Sequence, residues 1–245
     1  MHTFFVPPHL ISDSLVNLPK DESHHAVHVL RLTKGDEVFL VDGVGNRYTS
    51  SIVTSGKKEV TVQIISKENF SRPKPHLTIA LGLIKNRQRL EWAIEKMTEL
   101  GVSRIVLFHS ERSERSHVRL DRLESVAVSA MKQSLGIWLP EIETASSIRE
   151  ICNNNHDELQ VITHEKNGDL SLSFPQLSQK ITHNPPSKIT CLVGPEGGFS
   201  EDEVDLAIKT FKCVPVHLGD LRLRAETAAV IMTGLLRQSM NFENN

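Results

Sequence analysis

No stretch of this 245-residue chain approaches the roughly 20 apolar residues that a helix needs to cross a bilayer. The opening residues, Met1-His2-Thr3-Phe4-Phe5-Val6-Pro7-Pro8, have neither the basic start nor the long apolar run of a secretory signal. Cysteine is scarce. Cys152, Cys191 and Cys213 are widely spaced without a metal-ligand pattern, and an odd number with no framework fits a reducing cytoplasm. Excess charge is missing too: 28 Lys+Arg against 30 Asp+Glu leave a net charge near −2, so only a local basic surface would bind nucleic acid. Neither Gly-x-Gly-x-x-Gly nor Gly-Lys-Ser/Thr follows a strand, which removes the familiar dinucleotide and P-loop readings.

What remains is the composition of a soluble globular protein, 39% hydrophobic and 24% charged, long enough for one or two cores. Phe4-Phe5-Val6 opens a short strand, and Glu22–Leu32 reads as one helix carrying Val27, Leu30 and Arg31. Glu37–Val41, Arg47–Val53 and Glu59–Ile65 alternate or are β-branched. Asp42-Gly43, Gly45-Asn46 and Ser55-Gly56-Lys57-Lys58 supply turns between them. This predicts a small β-barrel over residues 1–72. Two prolines two apart, Pro73 and Pro75, then stiffen a linker beginning at Asn69. From His76 strands and helices alternate: strand Leu77–Ile84, helix Arg87–Leu100 closed by Gly101, strand Ile105–Phe108, and a helix carrying Leu123, Val126, Ala127, Ala130 and Met131. Leu159–Thr163, Ile189–Val193 and Val214–Leu218 are further apolar strands. Such alternation predicts an α/β domain over 73–245, with a parallel sheet between helices. The final helix, Ala225–Gln238, is apolar nearly all round, so it is buried on two sides, within the domain or against a second subunit.

Two loops carry the chemistry. Ile189–Val193 runs into Gly194-Pro195-Glu196-Gly197-Gly198, and the next strand runs into Leu218-Gly219-Asp220-Leu221-Arg222-Leu223-Arg224-Ala225-Glu226-Thr227-Ala228. In open α/β sheets ligands bind where such loops gather beyond the carboxyl ends of strands. Ser200-Glu201-Asp202-Glu203 is a capping box with three acids in one turn, which disfavours an anion there. With Glu196 in the loop, the ligand is expected to be neutral or cationic, and polyphosphate is disfavoured.

These motifs resemble the SPOUT RNA methyltransferases. Gly194–Ser200 with Glu203 is similar to their ligand loop, and Leu218-Gly219 with Leu223-Arg224-Ala225-Glu226-Thr227-Ala228 to their closing Leu-Arg-Thr-Glu-Thr-Ala. Lys96-Met97-Thr98-Glu99-Leu100-Gly101-Val102, Glu111-Arg112-Ser113, His28-Val29-Leu30-Arg31 and Phe4-Phe5-Val6 fit in order along the chain. The resemblance implies a PUA-like barrel, a catalytic domain with a C-terminal trefoil knot, and a homodimer. It implies methylation of N3 of one uridine in the 16S rRNA of the 30S subunit, without metal or membrane.

The implied cofactor is S-adenosylmethionine, held by Leu192, Gly194, Glu196, Gly197, Gly198, Leu218, Gly219, Leu223, Thr227 and Ala228. Because uridine N3 carries a proton, a cation near O2 or O4 would favour the attacking anion. Arg224 is the candidate for that role. Glu226 is a candidate general base or a residue that orients Arg224. Arg31, Arg47, Lys57 and Lys58 are RNA-phosphate candidates equally readable as ordinary surface charge. Lys85 and Arg89 are candidates for lining an RNA path or simply the exposed side of a helix start. Glu111–Ser116 reads as a solvated mixed-charge loop, from which the resemblance raises Arg112 and Arg115 as RNA-facing. His24, His25 and His28 read as a solvated or RNA-facing cluster rather than metal ligands.

The family's Glu-Gln-Ser-x-Arg is here Lys132-Gln133-Ser134-Leu135-Gly136, with Trp138 beyond, and Ala225 replaces threonine. Ribose 2′-O and tRNA methyltransferases share the knotted domain, and a non-catalytic assembly factor would keep the barrel. The barrel and the Arg-x-Glu-Thr-Ala ending favour the base methyltransferase.

Overall fold

The computed structural model describes residues 1–56, 59–113, 118–153, 159–164 and 171–239. Lys57, Lys58, Glu114, Arg115 and Ser116 lie outside the described residues. The chain divides into two compact units, one of residues 1–72 with 131–139, the other of 73–130 with 140–245.

In the first unit, β1 (His2–Phe5), β2 (Leu15–Asn17), β3 (Glu37–Val41), β4 (Asn46–Ser55) and β5 (Val60–Asn69) form one sheet in the order β1-β3-β4-β5-β2. Alternation puts Val38 and Leu40 of β3, Tyr48 and Ile52 of β4, and Val60 and Val62 of β5 into one core with Phe4 and Val16. The helix predicted over Glu22–Leu32 is shorter and starts earlier. It is α1 (Lys20–His24) running into a π-helical turn at His25–Val29, and it ends because Arg31 adopts a left-handed φ of 56°.

Among the described residues the second unit holds seven strands, all parallel: β6 (His76–Gly82), β7 (Arg104–Phe108), β8 (Glu141–Ala145), β9 (Leu159–Thr163), β10 (Leu172–Ser173), β11 (Lys188–Val193) and β12 (Val214–His217). Their order is β10-β12-β9-β11-β6-β7-β8. The helices are α2 (Arg87–Glu99), α3 (Leu120–Gln133), α4 (Ile148–Asn153), α5 (Phe174–His183), α6 (Glu201–Asp205), which continues into a π-helical turn at Leu206–Thr210, and α7 (Ala225–Gln238). One sheet face presents Ala80, Val106, Phe108, Ile162 and Leu192 to α4 and the π-helical turn. The alternate residues Leu77, Ile79, Leu81, Ile105 and Leu107 are equally buried, as a sheet covered on both sides requires. Helix α7 packs on β6, β11 and α2, and its buried face includes Ala228, Ala229, Met232 and Leu236. Gly101 takes φ 78° after α2, and its amide and that of Val102 close the helix on Thr98 and Met97.

Candidate active site

Strands β12, β9, β11 and β6 are neighbours, so the loops leaving their carboxyl ends meet at one edge of the sheet. The chain leaves β11 through Gly194 and Pro195 against the last residue of β6. A Cβ on Gly82 would stand 2.5 Å from the Pro195 nitrogen, so only glycine lets the two backbones approach this closely. The loop turns at Gly198 (φ 68°), whose amide donates to the Pro195 carbonyl at 2.9 Å. It then enters α6 through the capping box: Ser200 Oγ accepts from Glu203 N at 3.1 Å, and Ser200 N donates to Glu203 Oε2 at 2.9 Å. The second loop leaves β12, turns at Gly219 (φ 103°), and reaches Arg224, the N-cap residue of α7.

Between the two loops lies a cleft of about 770 Å³. Gly194, Glu196, Gly197 and Gly198 line it from one side, and Leu218, Gly219, Leu223 and Ala228 from the other. Arg224 is exposed and lines it as well, and so does Arg112. Glu196 is tied down, its Oε2 accepting from the Lys85 amide at 3.2 Å. Carboxylates outnumber cations on the wall: Glu196, Glu201, Asp205 and Asp220 against Arg112, Arg222 and Arg224.

Three expected residues do not line the cleft. Leu192 is fully buried in the core, because strand alternation turns its neighbour Val193 toward the cleft instead. Glu226 and Thr227 sit between Ala225 and Ala228, which share the cleft-facing side of α7, so about 100° of rotation per residue carries both away. Glu226 is buried at 5% exposure. Its Oε1 lies 3.6 Å from Arg89 Nε, and its Oε2 has no hydrogen-bond partner. The cation it pairs with is therefore Arg89 rather than Arg224.

The other basic candidates divide between the two units. Arg31 and Arg47 belong to the N-terminal unit. There the Arg47 guanidinium packs on the Phe39 and Phe70 rings and pairs with Glu68 at 2.7 Å. Among the described residues no group of three or more His, Cys, Asp or Glu could hold a metal ion, and the His24 and His28 rings pack 4.6 Å apart. Thr163, His164 and Val216 also line the cleft, joined by a hydrogen bond from His164 N to Val216 O at 3.0 Å. The only signal for them in the sequence is their place at the ends of β9 and β12, useful once the strand order is known.

A family model for the RNA methyltransferase domain matches residues 71–237, and one for the RNA methyltransferase PUA domain matches residues 18–65. The chain belongs to the RNA methyltransferase family. Ribosomal RNA small subunit methyltransferase E of Rickettsia conorii is 32% identical over 237 residues, spanning 95% of this chain and 93% of the relative. The crystal structure of a probable rRNA-methyltransferase from Porphyromonas gingivalis superposes with a TM-score of 0.86 at 31% identity over 98% of both chains. Ribosomal RNA small subunit methyltransferase E from Neisseria gonorrhoeae, solved bound to S-adenosyl methionine, gives 0.82 at 25% identity over 97% of both.

Proposed function

We propose that this RNA methyltransferase uses S-adenosylmethionine to methylate N3 of a specific uridine in 16S rRNA. The observation that carries the reading is the gathering of both glycine-containing loops and Arg224 on one cleft whose wall carries four carboxylates against three guanidinium groups. Its volume suits a cofactor of this size. Backbone of Gly194, Gly197, Gly198 and Gly219 borders the cleft and brings polar main-chain groups to it, Leu218 and Leu223 offer apolar contact, and Glu196 and Glu201 favour a ligand of positive charge over polyphosphate. When bound, S-adenosylmethionine supplies a methyl group activated by its sulfonium.

Arg224, exposed at the start of α7, stabilises the uridine anion left when N3 releases its proton to solvent water at the open cleft. Glu226, buried and off the cleft wall, acts by fixing Arg89 at the start of α2 rather than as a base on the uridine. The trefoil knot, the homodimer and a cytoplasmic location belong to the same reading; sedimentation equilibrium tests the dimer.

Calorimetric titration with S-adenosylmethionine, followed by transfer of labelled methyl to 30S particles and nucleoside analysis of the product, tests the function. Methyl on ribose would point instead to a ribose methyltransferase, and absence of binding to a non-catalytic assembly factor. Arg224→Ala is expected to lower kcat about 100-fold or more, the scale of losing one donor to a developing anion. Turnover near that of the parent on saturating RNA would remove Arg224 from this role.

A further inference from the structure

One buried carboxylate joins the glycine loop to the loop after β7. Glu203 is 6% exposed. Its Oε2 accepts from Ser200 N at 2.9 Å and from Ser110 Oγ at 2.7 Å, and its Oε1 accepts from Glu111 N at 3.1 Å. A capping box needs only the Ser200 pair; the bonds from Ser110 and Glu111 come from 93 and 92 residues away and serve something else. They hold a tight turn. Ser110 N donates to Ser113 Oγ at 3.1 Å, and Ser113 N to Ser110 O at 2.9 Å. Arg112 stands at its tip, exposed, on the cleft wall, with Nη1 3.4 Å from the Gly197 carbonyl. A Cβ on Gly197 would come 3.1 Å from Arg112 Cβ, so the two loops touch.

We propose that Glu203, acting through Ser110, is a positioning residue that holds Arg112 at the mouth of the cleft to receive an RNA phosphate. This rests on the reading of the cleft as the methyltransferase centre. A guanidinium has five N–H donors, so the contact with Gly197 leaves a fork for two phosphate oxygens. Phosphate contacts fix the register of the nucleic acid. A turn fixed in advance spares the entropy of ordering it on binding, so the benefit belongs in the affinity for RNA rather than in turnover.

Ser110→Ala removes the hydroxyl between the loops and leaves the Ser200–Glu203 cap in place. With full-length protein, saturating S-adenosylmethionine and unmodified 30S particles, KM for the particles is expected to rise about three- to tenfold while kcat holds. Ser110→Thr keeps the hydroxyl and restores KM. In an Arg112→Ala background, Ser110→Ala adds nothing, because both act at one contact. Co-sedimentation with the particles reads the same cycle without turnover. A chain that binds particles but transfers no methyl would thus sink the proposed function while the cycle still decides this inference. Additive effects of the two substitutions, an unchanged KM in Arg112→Ala, or a fall in kcat and Tm at constant KM would each overturn the assignment.

Discussion

Alanine at position 82 places a methyl carbon 2.5 Å from the Pro195 nitrogen and 2.6 Å from Pro195 Cδ. Comfortable contact needs about 3.5 Å, so roughly 1 Å must be found between β6 and the glycine loop. Strand β6 has little to give, because it is paired along its length with β11 on one side and β7 on the other. Pro195 therefore moves, taking with it Gly194 and Glu196 on the cleft wall. Forcing a methyl into such a contact costs about 1–3 kcal/mol. If the loop takes the strain, affinity for S-adenosylmethionine falls about 5- to 150-fold. If the sheet takes it, Tm drops by about 2–4 °C per kcal/mol and affinity is kept. Isothermal calorimetry and a thermal melt on Gly82→Ala separate the two. Affinity within about twofold of the parent, with Tm within about one degree, would refute the close-approach reasoning.

Gly234 lies inside α7 with room for a methyl, 3.7 Å from Leu100 Cδ1, so Gly234→Ala should stabilise by about 0.5–1 kcal/mol in a denaturant titration; destabilisation would mean this helix face is tighter than it looks. Lys132→Ala strips the cation from Glu22, a buried carboxylate whose other oxygen has no partner. Because the lysine is partly exposed, the cost is about 1–3 kcal/mol rather than the full value of a buried pair, read as a lower urea midpoint. Cys152, Cys191 and Cys213 are free and buried, and burial pushes the Cys191 thiol up to about 12. Near neutral pH an aromatic disulfide reagent should leave the native thiols unmodified and titrate all three on unfolding, and rapid labelling of any in the native state would contradict their burial.

Much of the fold was legible because its signals are local. Periodicity, cap residues and turn chemistry located β9 and α7 to the residue, and the Ser200–Glu203 box formed as written. The elements that escaped have weak local signals. Strand β8, Glu141–Ala145, offers only Ile142 and Ala145 as apolar residues and lies at a sheet edge, while β10 is two residues long at the opposite edge. The two loops of the candidate site were legible, and most of the residues named in them line the cleft. Leu192 and Val193 exchange places by strand alternation, and Glu226 and Thr227 are turned away by helix rotation. A motif marks a segment, and the geometry of that segment chooses which side chains reach the cleft.

Strand order and long-range packing lie beyond any local pattern, and they account for what the motifs left open. The departures at 132–138 find their reason there. Lys132 stands where the family carries glutamate, and it pairs with Glu22, whose Oε1 also accepts from Phe5 N. A glutamate at 132 would set two carboxylates against each other in a half-buried site. Trp138 covers Gly45, where even a Cβ would collide with its ring, and the Arg72 guanidinium packs over the same ring at 5.3 Å. Backbone bonds from Gly45 N to Ile137 O and from Leu139 N to Gly43 O complete the join. Residues 131–139 thus count with the N-terminal unit although they are the end of α3 and the segment after it. Lys132 and Trp138 work as packing residues of that unit, so substituting them should alter stability before it alters RNA affinity.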